Sequence, residues 1–562
     1  MSRPAPHPRT PQDPAEPPAV PVDPAIRLVP APVSVSPSPG VRFALTPATV
    51  IEVTGDEAVA AVGAYLADLL RRPTGWALPV TRAGGDDHRP GVIRLLLDGD
   101  DGHGAESDPG GTGAGDGGPE GYRLAVTATA VTISAGGPAG LFHGVQTLRQ
   151  LLPAAIEEES VCTGPWTVPG CLIVDRPRYP YRGVMLDVAR HFFPVEEVRR
   201  FVDEICRFKI NHLHLHLTDD QGWRIAIGSW PRLAEVGGAT QVGGGPGGWW
   251  TIEQYRDLVA YAAARHVTVV PEIDLPGHTN AALTAYPELA APGITVTPYT
   301  GTDVGFSALD TASEATYRFV GDVVAEVAAA TPGPYLHIGG DEVFKLPVAE
   351  YLAFVDRAQA IVAANGKRVV GWHQIAPAGH VEGRVIQYWH AGRTEPAVSD
   401  AVRRGARLLL SPGDRCYLDM KYADDTPIGH NWAGLIEVRD CYDWDPAGHL
   451  ADVPESAVLG VEAPLWTESV RSLSDAEFLV FPRLAAIAEV GWSTPAVRDW
   501  AGFRDRLAAQ GPRWDAAGVT YHRSPQVPWP ATGTPVSSVP VSAVPAPEPP
   551  TPRAAADDLV LD

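Results

Sequence analysis

No stretch of this 562-residue chain approaches the ~20 consecutive apolar residues that a membrane-spanning helix requires. Positive charge is short as well. The formal net charge is −23, which argues against nucleic acid or an anionic membrane surface as a partner. Cysteine is scarce: Cys162, Cys171, Cys206, Cys416 and Cys441 include no CxxC and cannot all pair. They read as mostly free, buried thiols of a reduced compartment, in a number that still admits one disulfide. The first 25 residues have no apolar core of a secretory signal, which favours a cytoplasmic location and leaves secretion open.

Composition divides what is present. Residues 1–25 form a Pro-rich start, 98–121 a Gly/Asp-rich insertion and 525–562 a Pro/Ala/Val tail. Each is too poor in large apolar residues to offset the entropy of ordering, so disorder is expected. Asp98, Asp100 and Asp101 lie among glycines but lack the spacing and the final glutamate of a calcium loop. Residues 26–176 show strand patterns at Val50–Val53, Val92–Leu97, Tyr122–Val126 and Val131–Ser134, with helical spacing at Val59–Leu70 and Leu141–Leu152. A small α+β domain of structural role follows.

From Tyr181 the pattern alternates strand and helix, the signature of a parallel sheet. Apolar runs at 181–188, 212–218, 267–273, 335–338, 369–372, 385–388, 407–410 and 458–461 predict strands. Amphipathic stretches at 195–210, 252–265, 314–330, 348–365 and 475–490 predict helices. Eight strands over ~330 residues fit an α/β fold, a (β/α)8 TIM barrel over 177–520 preceded by the small domain. A doubly wound sheet is the alternative, but no glycine-rich nucleotide fingerprint follows the first strand.

In such a barrel the active residues cluster after the C-terminal strand ends. Those ends carry Asp187 and Arg190; Asp219 and Asp220; Glu272, Asp274 and His278; Asp341 and Glu342; Trp372 and His373; Trp389 and His390; Tyr417 and Asp419; Trp466 and Glu468. Acids, one arginine and aromatics thus recur where chemistry is expected, whereas the strand bodies are largely apolar. An Asp-Glu pair standing alone reads as a solvated turn; at the end of Tyr335-Leu336-His337-Ile338-Gly339-Gly340 it reads otherwise. Adjacent strand residues point to opposite faces, so both acids share one site only if the strand end bends, which Gly339 and Gly340 permit. A glycosidase needs a carboxylic acid of raised proton affinity, aromatic sugar platforms and charged groups for hydroxyls, and this inventory holds all of them.

His337-Ile338-Gly339-Gly340-Asp341-Glu342 resembles the signature of glycoside hydrolase family 20, the β-N-acetylhexosaminidases. Three more segments resemble that family's first barrel strands: Arg182 to His191, His212 to Arg224 and Pro271 to His278. The resemblance runs from about Ile26 to Arg513. It implies an exo-acting, retaining hydrolase of terminal N-acetylhexosaminides, such as chitobiose, with no cofactor and no metal. Glu342 would be the general acid and base, and Asp341 would orient the substrate's acetamido group, the internal nucleophile. Tyr417 would donate to the acetamido oxygen, and Asp219 and His278 would form a polar chain behind Glu342. Trp372, Trp389 and Trp466 would wall the pocket, and Arg190 would bind the 3- and 4-hydroxyls. Asp419 and Glu468 would grip the 4- and 6-hydroxyl side, and Trp432 would flank the leaving group.

Other features have blander readings. Trp230, Trp249, Trp250, Trp492 and Trp500 are assigned to structure. His212, His214 and His216 alternate on one strand, and layered side-chain packing of a barrel interior explains them better than a metal. A conventional carboxylate nucleophile would have to be Asp219 or Glu468. A non-catalytic sugar-binding barrel would have no need of Asp341, Glu342 and Tyr417 together.

Overall fold

The computed structural model describes residues 26–82, 90–97 and 118–531. The small domain contains β1 (Ser34–Ala44), β2 (Val50–Thr54), β3 (Val80–Arg82), β4 (Val92–Leu97), β5 (Tyr122–Val126), β6 (Ala130–Ala135) and β7 (Thr167–Asp175). These form one seven-stranded sheet in the order β1-β7-β5-β6-β4-β2-β3. Helix Glu57–Thr74 is capped by Asp56, whose carboxylate accepts the N–H groups of Ala58 and Val59. Helix Pro138–Leu151 is buried along almost its whole length; it packs on the sheet and borders the second domain, where Arg513 donates to the backbone oxygens of Gln150 and Arg149.

The second domain is a closed barrel of eight strands. They are β8 (Tyr181–Asp187), β9 (His212–His216), β10 (Thr268–Glu272), β11 (Tyr335–His337), β12 (Arg368–Trp372), β13 (Val385–Tyr388), β14 (Arg407–Leu410) and β15 (Val458–Leu465). All neighbours pair in parallel, from β8 with β9 round to β15 with β8. The TIM-barrel expectation is met, and these strands were legible because burial on both faces makes parallel strands near-continuous apolar runs. Their interior is layered. Near one end, residues from seven strands, among them Tyr181, Val270, Tyr335 and Leu409, form a separate apolar cluster. Toward the C-terminal ends the interior side chains turn polar: His214, Glu272, His337, Gln387 and Glu462 are all fully buried.

Several expectations need correction. The helix expected over 475–490 is two, Leu473–Val480 and Arg483–Trp492, because Pro482 lacks the N–H a continuing helix needs. Strands β1 and β7 were not foreseen; Pro37, Pro39 and Pro169 mask them. The insertion and tail lie mostly outside the described residues, but their edges are packed. Glu120 meets Arg182 at 2.6 Å and accepts from Asn211 at 3.1 Å. Val527 is buried, and Trp529 Nε1 donates to the Ser524 carbonyl at 2.9 Å. A single buried contact outweighs poor average composition at such edges. All five cysteines are unpaired, and only Cys162 is not buried.

Candidate active site

The bend the sequence required is present after β11. Gly339, Gly340 and Glu342 all have positive φ, at 63°, 99° and 53°. A Cβ on Gly339 would lie 1.7 Å from Oδ1 of Asp274, so only glycine fits. Gly340 N–H donates to that same Asp274 oxygen at 3.0 Å, and Tyr351 OH donates to the Gly340 carbonyl at 2.7 Å. A glutamate held left-handed stores roughly 1–3 kcal/mol of strain, as functional sites commonly do. The result brings Asp341, Glu342 and His278 together, with one ligand atom of each within 4.8 Å of the others. His278 is itself left-handed, at φ 54°.

Behind Glu342 runs a chain of imidazoles and carboxylates. His278 Nε2 lies 3.5 Å from Glu342 Oε2 and 3.8 Å from Asp341 Oδ2. Its Nδ1 meets Asp219 Oδ1 at 3.2 Å. Asp219 Oδ2 is 2.9 Å from Arg190 and 2.8 Å from His216 Nε2. Burial pushes the Asp219 carboxyl up, but Arg190 and His278 more than offset this and hold it well below the usual range. Burial opposes a charge on His278, yet Asp219, Asp274 and Asp341 raise its proton affinity well above that of a free imidazole. Asp341 is pushed up to about 6 by burial, offset in part by His278 and reinforced by Glu342, and its Oδ1 has no hydrogen-bond partner among the described residues.

Around this centre the other expected residues assemble. Arg190 also reaches Asp187 at 3.2 Å and Glu468 at 3.8 Å, and its guanidinium sits 4.8 Å over the Trp466 ring. The Trp466 ring in turn lies 5.8 Å from Trp372. Trp389, Tyr417 and Trp432 form a second aromatic group, with Tyr417 5.3 Å from Trp432 and Trp389 5.8 Å from it. Trp432 is 53% exposed, a rim position. Burial, then Asp419 and Asp341, raise the Tyr417 phenol well above its ordinary value, so it stays protonated and able to donate. Burial lifts Asp419 to about 7 despite His430, while Arg190 and His430 outweigh burial to hold Glu468 down at about 2. Trp372 is fully buried, beneath Trp466 rather than open at the mouth.

Sequence reasoning overlooked His430, 3.5 Å from Glu468, and gave no task to Asp274, a strand-end acid that buttresses the bend. It placed Asp187 and Glu272 at strand ends without a task. Asp187 accepts the N–H groups of Ala189, Arg190 and Thr467, fixing the arginine; its strand-end position was the available signal. Of the three strand histidines, His212 stacks on Tyr181 at 3.8 Å, and His214 and His216 turn to buried carboxylates.

Comparison with known proteins places the chain in a family. The model of the glycosyl hydrolase family 20 catalytic domain matches residues 179–351 and 347–495, and that of the family's domain 2 matches residues 25–176. A β-N-acetylhexosaminidase of Cellulomonas fimi is 43% identical over 91% of this chain and 99% of its own length. The structure of Streptomyces plicatus N-acetyl-β-hexosaminidase in complex with Thio-NAglucal superimposes with a TM-score of 0.84 at 54% identity, covering 90% of this chain and 98% of that one. A mutant of the Streptomyces plicatus enzyme in complex with product (GlcNAc) gives 0.84 at 53% identity, over 91% and 99% of the two chains. The chain is a glycoside hydrolase, a member of glycosyl hydrolase family 20.

Proposed function

We propose that the enzyme is an exo-acting, retaining β-N-acetylhexosaminidase that removes terminal GlcNAc or GalNAc with the substrate's own acetamido oxygen as nucleophile. The observation that carries this is the bend at 339–342, which puts Asp341 beside Glu342 and not across a scissile bond from it. The conventional alternatives are engaged elsewhere: Asp219 is bound by Arg190, His216 and His278, and Glu468 faces Arg190 and His430. Family 20 is itself a named exception to the two-carboxylate scheme.

In the first step Glu342 gives its proton to the leaving oxygen while the acetamido carbonyl oxygen bonds to the anomeric carbon. The product is an oxazolinium ion. Asp341, as carboxylate, holds the acetamido N–H and stabilises the positive charge, and the Tyr417 hydroxyl donates to the acetamido oxygen. In the second step Glu342 takes a proton from water, which attacks the anomeric carbon as its bond to the acetamido oxygen breaks, reopening the oxazolinium ring and restoring the β configuration. Arg190 receives the 3- and 4-hydroxyls, Asp419 and Glu468 the 4- and 6-hydroxyl side. Trp389 and Trp466 wall the pocket with Trp372 below, and Trp432 meets the leaving group. The GlcNAc product bound by the Streptomyces plicatus mutant supports the sugar.

Glu342→Gln provides the test. Hydrolysis of GlcNAc glycosides with poor leaving groups should be abolished, while aryl glycosides with acidic leaving groups keep more activity, since only the former need protonation. An equal loss on both would make Glu342 a nucleophile or a binding group instead.

A further inference from the structure

Glu272, the last residue of β10, is fully buried and belongs to none of the groups that take the sugar. Its two oxygens face different parts of the site. Oε2 accepts from His216 Nδ1 at 2.5 Å and lies 3.1 Å from His214 Nε2. Oε1 accepts the indole N–H of Trp372 at 3.0 Å and lies 2.9 Å from His337 Nδ1.

From Oε2 the contacts continue through His216 to Asp219, His278 and Glu342. From Oε1 they lead to Trp372 and so to Trp466. On the other side, His214 Nδ1 is 2.9 Å from Oε1 of Glu462; that oxygen also accepts from Gln387 at 2.7 Å, and Oε2 accepts from Tyr181 at 2.6 Å. This polar layer rests on the apolar cluster of the barrel interior. Barrel interiors are ordinarily filled by bulky apolar side chains, and a buried charge without its partner is strongly destabilising. A row of buried acids and imidazoles therefore needs a reason beyond filling space.

The groups that face Glu272 are His214 and His216 from β9, His337 from β11 and Trp372 from β12, with Asp274 and Asp341 further off. Burial opposes charge on each. Glu462 and Glu272 nevertheless lift His214 to about 9, Glu272 and Asp219 raise His216 well above its ordinary value, and the histidines hold Glu272 well below the carboxylate range. The layer thus sets carboxylates against imidazolium at His214 and His216, whereas burial holds the proton affinity of His337 below that of a free imidazole.

We propose that Glu272 is a positioning residue: one oxygen fixes the imidazole–carboxylate chain behind Glu342, and the other fixes the Trp372 indole under the pocket. The proton donor and the sugar pocket are then set by a single carboxylate. A glutamine in its place has one accepting oxygen and one N–H₂ group, so one of the two arms must face a donor with a donor. The proposal rests on Glu342 being the acid.

The test is Glu272→Gln in the full chain, read in two ways. Proton NMR with ¹⁵N-labelled histidine should show a downfield, slowly exchanging imidazole proton from the His216–Glu272 hydrogen bond. In the variant it should vanish, with the His278 N–H signal displaced two links away. Kinetically, a phenyl GlcNAc glycoside should lose roughly tenfold more rate than the 4-nitrophenyl glycoside, within the range proton transfer contributes. The alkaline limb of the pH profile should move to lower pH, because a negative charge has left the chain. Trp372→Phe keeps one aromatic ring and loses the N–H with the five-membered ring; it should raise KM on both substrates alike and leave the limb in place. A variant whose His278 signal and pH limb match the wild type, or which loses both substrates equally with a lower melting temperature, would overturn the proposal and leave Glu272 a packing residue. Wild-type protein inactive on both glycosides would instead refute the reading of the site, and the NMR comparison would still decide whether Glu272 holds the chain.

Discussion

Glu342 and Asp341 are neighbours in sequence with opposite tasks, and their surroundings separate them. The Asp341 side chain is 11% exposed against 27% for Glu342. Its carboxyl, pushed up to about 6 by burial, is ionised at neutral pH and takes a proton as pH falls through that value. A protonated Asp341 cannot stabilise an oxazolinium, so kcat/KM should decline below about pH 6. Asp341→Asn should cut the rate roughly a hundredfold, the worth of one preorganised polar partner, and should flatten that acid limb. A pH–rate profile of the variant that keeps the limb would assign it to another group. Most of the site was readable residue by residue, because acids and tryptophans at strand ends stand out against largely apolar strand bodies. The work of Glu272 and Asp274 was not, since their partners lie on other strands, as far as 100 residues away for Trp372.

At the level of elements, the strand-to-loop bend governs everything above it. Three left-handed residues within four positions turn the chain so that consecutive side chains meet in one site. Gly339→Ala would combine a strained φ with a clash against Asp274. We expect activity to fall by at least an order of magnitude, with a destabilisation of about 1–3 kcal/mol. Kinetics and urea unfolding check both, and an alanine variant with wild-type kinetics would show that the bend does not set the acids. The pair of glycines made this bend legible. Helix 314–330 was equally legible from its 3.6-residue period and matches Glu314–Ala330. Pro482, inside a stretch of helical periodicity, made its neighbourhood misleading, and the polar, Pro-containing β1 has an edge position that no apolar period announces.

Across the whole molecule, the small domain is joined to the barrel by buried charge. Lys209, just ahead of β9, is 2.8 Å from Asp175 of β7, and both side chains are almost completely buried. Tyr122 of β5 donates to the same oxygen at 2.7 Å, and Trp492 donates to the other at 2.9 Å. Removing one partner of such a pair costs roughly 3–5 kcal/mol because the other charge stays buried. Asp175→Asn should therefore lower the unfolding free energy by about that amount, and the urea midpoint with it, while leaving kcat of the folded fraction near wild type. An unchanged midpoint would mean the pair does not secure the two domains.

The central claim is that the substrate supplies its own nucleophile, and matched 4-nitrophenyl glycosides of GlcNAc and glucose test it most directly. They share a leaving group and differ only in acetamido against hydroxyl at carbon 2. Well-placed intramolecular nucleophiles have very large effective molarities, so kcat/KM should fall by ~10³-fold or more for the glucoside, a difference of about 4 kcal/mol in the barrier. Comparable rates on the two substrates would contradict the account and require a carboxylate nucleophile.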